Sequence, residues 1–256
     1  MCEILEVTRS GYHSYLKHRY NKRKMENKVI TELIQKIWNN SHKLYGYRRV
    51  HAELRSQGIY CNKKRVLRLM NLNNIAAKRK KKFKRTTNSN HSNYISPNLL
   101  KQNFRVKNPN EVWVGDITYV NTYEGWLYLA VVLDLYSRKV VGWSMSNRMT
   151  TKLVLDALEN AIRQRNPKAG LIFHSDQGSQ YASQSFRELL TNKRIIQSMS
   201  GKGNCYDNAV AESLFHTLKT ELIYWNSYKT RSDAKSSIFQ FIEGFYNRRR
   251  RHSYLN

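Results

Sequence analysis

Three acids stand where carboxylates are costly or conspicuous. Asp116 lies in the middle of "VWVGDITYV", a strand-like alternation whose apolar neighbours penalise an unpaired carboxylate. Asp176 closes the short apolar run in "IFHSDQGSQY" at a sharp turn, a position from which side chains project beyond a sheet. Glu212 begins the helical stretch of "GNCYDNAVAESLFHTLKTEL". The 35 residues between Asp176 and Glu212 leave room for a helix, a short strand and a loop. In a mixed sheet, neighbouring strands can bring all three acids to one edge. Three converging carboxylates on a basic chain suit oxygen-coordinated Mg²⁺ better than zinc. Two such ions about 4 Å apart activate a water or a 3′-hydroxyl and stabilise the leaving oxygen in phosphodiester chemistry. Bound cations also explain how acids tolerate a phosphate-binding surface.

The helix carrying Glu212 adds to this pattern. Glu212, His216 and Lys219 fall at i, i+4 and i+7 and share one face. Ala211, Phe215, Leu218 and Leu222 form the adjoining apolar stripe. One helix can therefore pack on a sheet, offer a metal ligand and hold a lysine for phosphate. A solvated acid–lysine surface fits the same pattern, and Asp116 taken alone fits a satisfied buried acid. Asp134 in "VVLDLYSRK" precedes a turn and reads as structural. Asp207 reads as a helix cap before "NAVAES".

The elements that must position these groups begin at Asn108. "EVWVGDITYVN" and "WLYLAVVLDLYS" read as strands joined at Glu124-Gly125, with "KVVGWSMS" as a third. "TKLVLDALENAIRQR" has helical period, "GLIFHSD" is a short buried-looking strand, "SQSFRELLTNKR" a helix and "IIQSMS" a strand. Three strands in meander followed by alternating helix and strand predict an α/β fold, a mixed sheet covered by helices. The final "DAKSSIFQFIEGFYNRRRRHSYLN" reads as a helix ending in four arginines.

The front of the chain has a different texture. Residues 1–105 hold 25 Lys/Arg against 5 Asp/Glu, and the remainder 20 against 13, within a net charge of +27. Such a basic front half points to nucleic acid, because neutralising phosphates releases condensed counterions. "YGYRRVHAELRSQG" and "NKKRVLRLMNLNN" read as two basic helices around a turn at Gly58-Ile59-Tyr60-Cys61. Val50, Leu54, Val66, Leu69 and Met70 form their apolar faces, leaving Arg48, Arg49, Lys63, Lys64, Arg65 and Arg68 for DNA in a helix-turn-helix. A basic hairpin with a solvated face is the alternative. "KRKKKFKR" followed by "TTNSNHSN" cannot bury a core and reads as a linker or arm, with Lys80, Lys81 and Lys82 as phosphate contacts. The expected organisation is a helical DNA-binding region at 1–77, a basic arm at 78–104 and a catalytic core at 105–256.

With 40% hydrophobic residues the chain can build a packed core. Cys2, Cys61 and Cys205 are odd in number and widely spaced, against a disulfide framework and in favour of a reducing cytosol. The N-terminus carries no apolar signal core, and "WLYLAVVLDLY" is too short to span a bilayer. These features predict a cytoplasmic, nucleoid-associated protein without a membrane partner.

The acids in "WVGDITYV", "FHSDQGSQY" and "NAVAESLFHTLK", with Lys219 seven residues after Glu212, resemble the DDE catalytic core of integrases and transposases. "VTRSGYHSYLK", "YGYRRVHAELRSQGI", "SPNLLKQNF", "NPNEVWVGDITYV", "YLAVVLDLYSRKVVGW" and "YNRRRRHS" are similar to the second-frame (OrfB) protein of the IS-three family of bacterial insertion sequences. Their order and spacing carry the resemblance from about residue 6 to the end. It implies a ribonuclease-H-like core with Asp116, Asp176 and Glu212 as ligands of two Mg²⁺ or Mn²⁺ ions. The implied reaction is nicking of transposon ends followed by strand transfer from the freed 3′-hydroxyl. Lys219 and His216 would contact DNA, and a Gly201–Gly203 loop would let the start of the Glu212 helix move. The implied partners are double-stranded element ends and target DNA, further copies of the chain, and an upstream-frame (OrfA) product. The chain stops at Asn256, where such proteins commonly continue. That sets a second expectation, a DNA-binding regulator or truncated remnant without catalysis. A general nuclease of the same fold is a third.

Overall fold

The computed structural model describes residues 6–17, 22–77, 93–201, 205–250 and 252. The chain divides into two compact units, residues 1–79 and 80–256. The first unit is helical: α1 (Arg9–Lys17), α2 (Lys22–Asn40), α3 (Tyr47–Ser56) and α4 (Lys63–Leu72). Its core forms where three apolar stripes meet: Ile30, Ile34 and Ile37 from α2, Val50 and Leu54 from α3, and Val66, Leu69 and Met70 from α4. Gly58 turns the chain between α3 and α4 at φ +80°, where a side chain would be strained. Asn62 then starts α4 by accepting the Lys64 N–H at 2.8 Å, meeting one of the helix's orphan donors.

The second unit is a five-stranded sheet in the order β3-β2-β1-β4-β5. Its strands are β1 (Val112–Thr122), β2 (Gly125–Asp134), β3 (Val140–Ser146), β4 (Ile172–Ser175) and β5 (Ile196–Met199). The first three form an antiparallel meander, and β4 and β5 join in parallel through crossover helices. This is the mixed ribonuclease-H-like arrangement expected from the sequence, preceded by a helical domain.

Both sheet faces are covered. On one, α5 (Thr151–Arg165) and α6 (Gln184–Asn192) pack on Trp113, Ala130, Val132 and Phe173. A Cβ on Gly142 of β3 would run into the backbone of α5, so glycine sets the closeness of that contact. On the other face, Ala211 of α7 (Ala209–Glu221) joins Val112, Val114, Leu135 and Leu100. Residues 93–104, within the stretch expected to be linker, run against this unit. Ser96 bonds Gln197, and the Leu99 N–H bonds Ser198.

After α7, α8 (Arg231–Phe239) opens with a capping box between Thr230 and Asp233 and widens into a π-helical stretch, Gln240–Tyr246. The Asn247 side chain both donates to and accepts from the Val140 backbone at 2.9 Å, occupying the outer edge of β3. Arg250 grips Glu221 of α7 through two bonds of 3.0 and 2.9 Å, tying the chain's end to the helix that bears Glu212. Asp134 is structural, as its position suggested. Buried at the end of β2, it accepts from Asn110 N–H, Ser137 N–H and Ser137 Oγ–H.

Candidate active site

The site follows from a mismatch of strand lengths. β4 pairs with β1 only from Val112 to Val114, whereas β1 runs on to Thr122. From Gly115 until Thr122, which bridges Tyr228, that edge of β1 is without a strand partner, and Asp116 stands at the start of the open stretch. Gly115 brings Phe173 of β4 close, since a Cβ there would overlap its ring. The open edge thus borders the packed core, which explains why Asp116 is half-buried.

Asp116 Oδ1 accepts the Ile117 N–H at 2.7 Å. Burial first, and Asp176 second, push its carboxyl well above the ordinary range. The Ile117 bond works against that rise, Glu212 adds to it, and Lys219 opposes it. All three acids therefore act on one electrostatic centre. Asp176 follows β4 directly, and its Oδ1 accepts the Gly178 N–H at 3.0 Å, which holds the turn. Glu212 is exposed in the first turn of α7, the electropositive end of that helix.

Lys219 is half-buried, with its Nζ 5.1 Å from the centre of the Tyr119 ring. Burial lowers its pKa while Asp116 raises it. His216 is exposed one turn after Glu212. Among the described residues, no three His, Cys, Asp or Glu side chains are gathered closely enough to hold a metal ion. The acids thus share a field without forming a closed coordination shell. The donor chemistry still fits a hard divalent cation: carboxylate oxygens whose mutual repulsion at Asp116 such a charge relieves.

Several residues here were not singled out from sequence. Tyr181 is buried, and burial, then Asp116 and Asp176, raise its hydroxyl pKa far up, so it remains a protonated donor beside the acids. Its five-residue spacing from Asp176 in "DQGSQY" was the available signal. His174 of β4 is buried, with Nδ1 2.8 Å from Ser198 Oγ. Burial depresses its pKa to about 4 against the pull of Asp207, leaving the ring neutral at pH 7.

Asp207 takes another role than the cap expected of it. The N-cap of α7 is Asn208, which makes no side-chain capping bond. The Asp207 carboxylate instead accepts from Gly201 N–H at 2.9 Å and Asn98 Nδ2 at 2.8 Å, closing the base of the loop before α7. Gly203 lies outside the described residues.

The expected DNA contacts divide. Arg48, Lys63, Lys64 and Arg68 are exposed on α3 and α4, and Arg49 is half-buried with its guanidinium over Tyr45. Arg65 is placed differently from these. It turns inward, bonding Asn27 at 2.8 Å and Glu26 at 3.1 Å on α2, because α4 packs that face against α2. Lys80, Lys81 and Lys82 lie outside the described residues.

The mixed sheet with its covering helices belongs to the class of integrase cores. The chain fits the family of integrase core domains over residues 106–205 and again over 193–256, and the HTH-like domain family over 24–83. It is 44% identical over 255 residues to the insertion element IS600 uncharacterized 31 kDa protein of Shigella sonnei, covering 100% of this chain and 94% of that one. It is 41% identical over 256 residues to transposase InsF for insertion sequence IS3A of Escherichia coli (strain K12), covering 99% and 89%. The chain belongs to the family of IS3-type insertion-sequence transposases. It is also similar to the simian T-cell lymphotropic virus intasome in complex with PP2A regulatory subunit B56 gamma, with 22% identity, TM-score 0.46 and coverage of 82% and 68%. No helix among the described residues is long and apolar enough to cross a membrane.

Proposed function

We propose that this DNA transposase nicks the ends of its element and joins the freed 3′-hydroxyl to target DNA, with Asp116, Asp176 and Glu212 holding two Mg²⁺ or Mn²⁺ ions. The observation that carries this reading is the placement of Asp116 at the open edge of β1, with Asp176 directly after the neighbouring β4 and Glu212 in the first turn of α7. When bound, the cations supply a nucleophilic oxygen and neutralise charge on the scissile phosphate. The chain's own residues do the rest. The open edge of β1 admits a DNA strand, Lys219 offers an ammonium to its phosphates beside Asp116, and the buried Tyr181 hydroxyl stays protonated near the acids. The exposed cations of α3 and α4 hold duplex backbone through the helix-turn-helix unit. Several copies assemble on DNA, and the upstream-frame product joins them as a further partner.

The test is cleavage of a labelled duplex carrying the element's own end, in Mn²⁺ and in EDTA. A metal-dependent cut or joined product is expected. Asp116→Asn, Asp176→Asn and Glu212→Gln should each reduce it by roughly a hundredfold or more, since even supporting residues of metal sites cost 10–100-fold. Undiminished cleavage by any of the three removes that residue from the ligand set. Binding of ends without any cut would support a DNA-binding regulator instead.

A further inference from the structure

On the hairpin that joins β1 to β2, beyond Asp116 along β1, lies an aromatic group that the chemistry above does not use. Trp126 of β2 is 47% exposed, unusual for the largest apolar side chain. Its ring meets Tyr119 of β1 edge to face, with centroids 4.9 Å apart at 87°. Lys219 Nζ lies 5.1 Å from the other partner of that pair, Tyr119. Tyr119 is three residues past Asp116, about 10 Å along the strand.

The hairpin that presents Trp126 is held from behind. Arg231 Nε donates to Trp126 O at 3.1 Å, its backbone N–H donates to Glu124 Oε2 at 2.8 Å, and Tyr123 N–H donates to Tyr228 O at 3.1 Å. An exposed aromatic pair across two strands stabilises a hairpin on its own. That role does not call for a lysine from another helix beside the pair, nor for an exposed indole to stand on so firmly fixed a turn. A fixed, exposed indole whose ring partner holds a cation supplies what a single-stranded nucleic-acid site needs: a ring for the base and a charge for its phosphate.

We propose that Trp126, braced by Tyr119 over whose ring Lys219 sits, stacks an unpaired DNA base a few nucleotides from the scissile phosphate. The proposal rests on the reading of the carboxylate edge as the reaction centre. A strand end leaving its duplex to reach a recessed acid exposes a base that would otherwise lose its stacking. Paired duplex offers no such face, so the platform favours frayed or splayed ends over blunt ones.

The experiment uses the full chain in Ca²⁺ without turnover. The probe is a duplex with a short unpaired 3′ terminus carrying 2-aminopurine, set beside a fully paired duplex of the same sequence. The unpaired probe should be quenched on binding and should bind roughly tenfold tighter than the paired one, the scale of one stacked base. Trp126→Ala should abolish both differences and Trp126→Phe keep most of them. Tyr136→Ala, at an exposed aromatic of another turn, should keep them in full. Equal signals from both probes, or a Trp126→Ala chain that quenches like wild type, overturn the proposal. So does loss of the signal in Tyr136→Ala, which would mean altered folding and not stacking. Because no strand is cut in this assay, a chain that discriminates the probes yet fails to cleave in Mn²⁺ overturns the catalytic reading and leaves the platform standing.

Discussion

Gly115 sets a steric condition on the residue beside it. Alanine there pushes on the Phe173 ring and displaces the strand that carries Asp116. Overpacking of this kind costs about 1–3 kcal/mol. Gly115→Ala is therefore expected to lower the urea midpoint and to reduce end cleavage beyond what lost stability explains. Wild-type cleavage by this variant would show that the Phe173 contact does not position Asp116. Tyr181 allows a gentler substitution. Its ring packs on Phe173 and Phe186, with centroids 6.1 and 5.4 Å away, and phenylalanine keeps those contacts. Tyr181→Phe should leave the melting temperature nearly unchanged while slowing cleavage by about tenfold, the scale of one hydrogen bond to a charged group. Cleavage at the wild-type rate would assign Tyr181 to packing alone.

Two contacts between elements carry separate expectations. Arg250 and Glu221 join the end of the chain to α7 with side chains only 8% and 11% exposed. Removing one partner of a buried pair strands the other charge, at about 3–5 kcal/mol, whereas replacing both with apolar groups costs far less. Glu221→Gln should thus destabilise the second unit more than the double change Glu221→Leu with Arg250→Met, as read by urea unfolding. The reverse order would mean that water reaches the pair. In the first unit, Arg65 is engaged by α2 while Lys64 faces solvent. Arg65→Ala should cost about 1 kcal/mol of stability, the partner Glu26 being well exposed. Lys64→Ala should leave stability alone and lower the salt dependence of DNA binding by about one ion. An unchanged salt slope for Lys64→Ala would remove it from the phosphate contacts.

At the scale of the whole molecule, basic charge is concentrated ahead of the acids: 25 of 45 Lys/Arg fall in residues 1–105 with only 5 of 18 Asp/Glu. Duplex affinity should accordingly fall steeply with salt, while the carboxylate edge depends on divalent metal. EDTA is expected to abolish cleavage and leave most duplex binding intact, as gel shift and cleavage on the same samples would show. Binding lost together with cleavage in EDTA would mean that the metal centre, and not the basic front, holds the duplex.

The sequence by itself determined the order and kind of the main elements. Runs such as "WLYLAVVLDLY" can bury only as central strands, and the apolar periods of α5 and α7 need a sheet to cover. It also determined which acids were available, because Asp116 and Asp176 interrupt or end apolar runs where a carboxylate has a cost to justify. Only the tertiary structure decided what those residues meet. Arg65 has the type and spacing of a DNA contact, yet its partners lie on α2, far away in sequence. Asp207 looks like a cap until Asn98 and Gly201 come into reach. The short pairing of β4 with β1, which leaves the edge at Asp116 open, depends on where two strands stop relative to each other. Local propensity and period are properties of a few neighbouring residues, so the chain displays them directly. Hydrogen-bond partners, strand register and the field of one acid on another arise between distant segments, and they exist only once packing has fixed the distances.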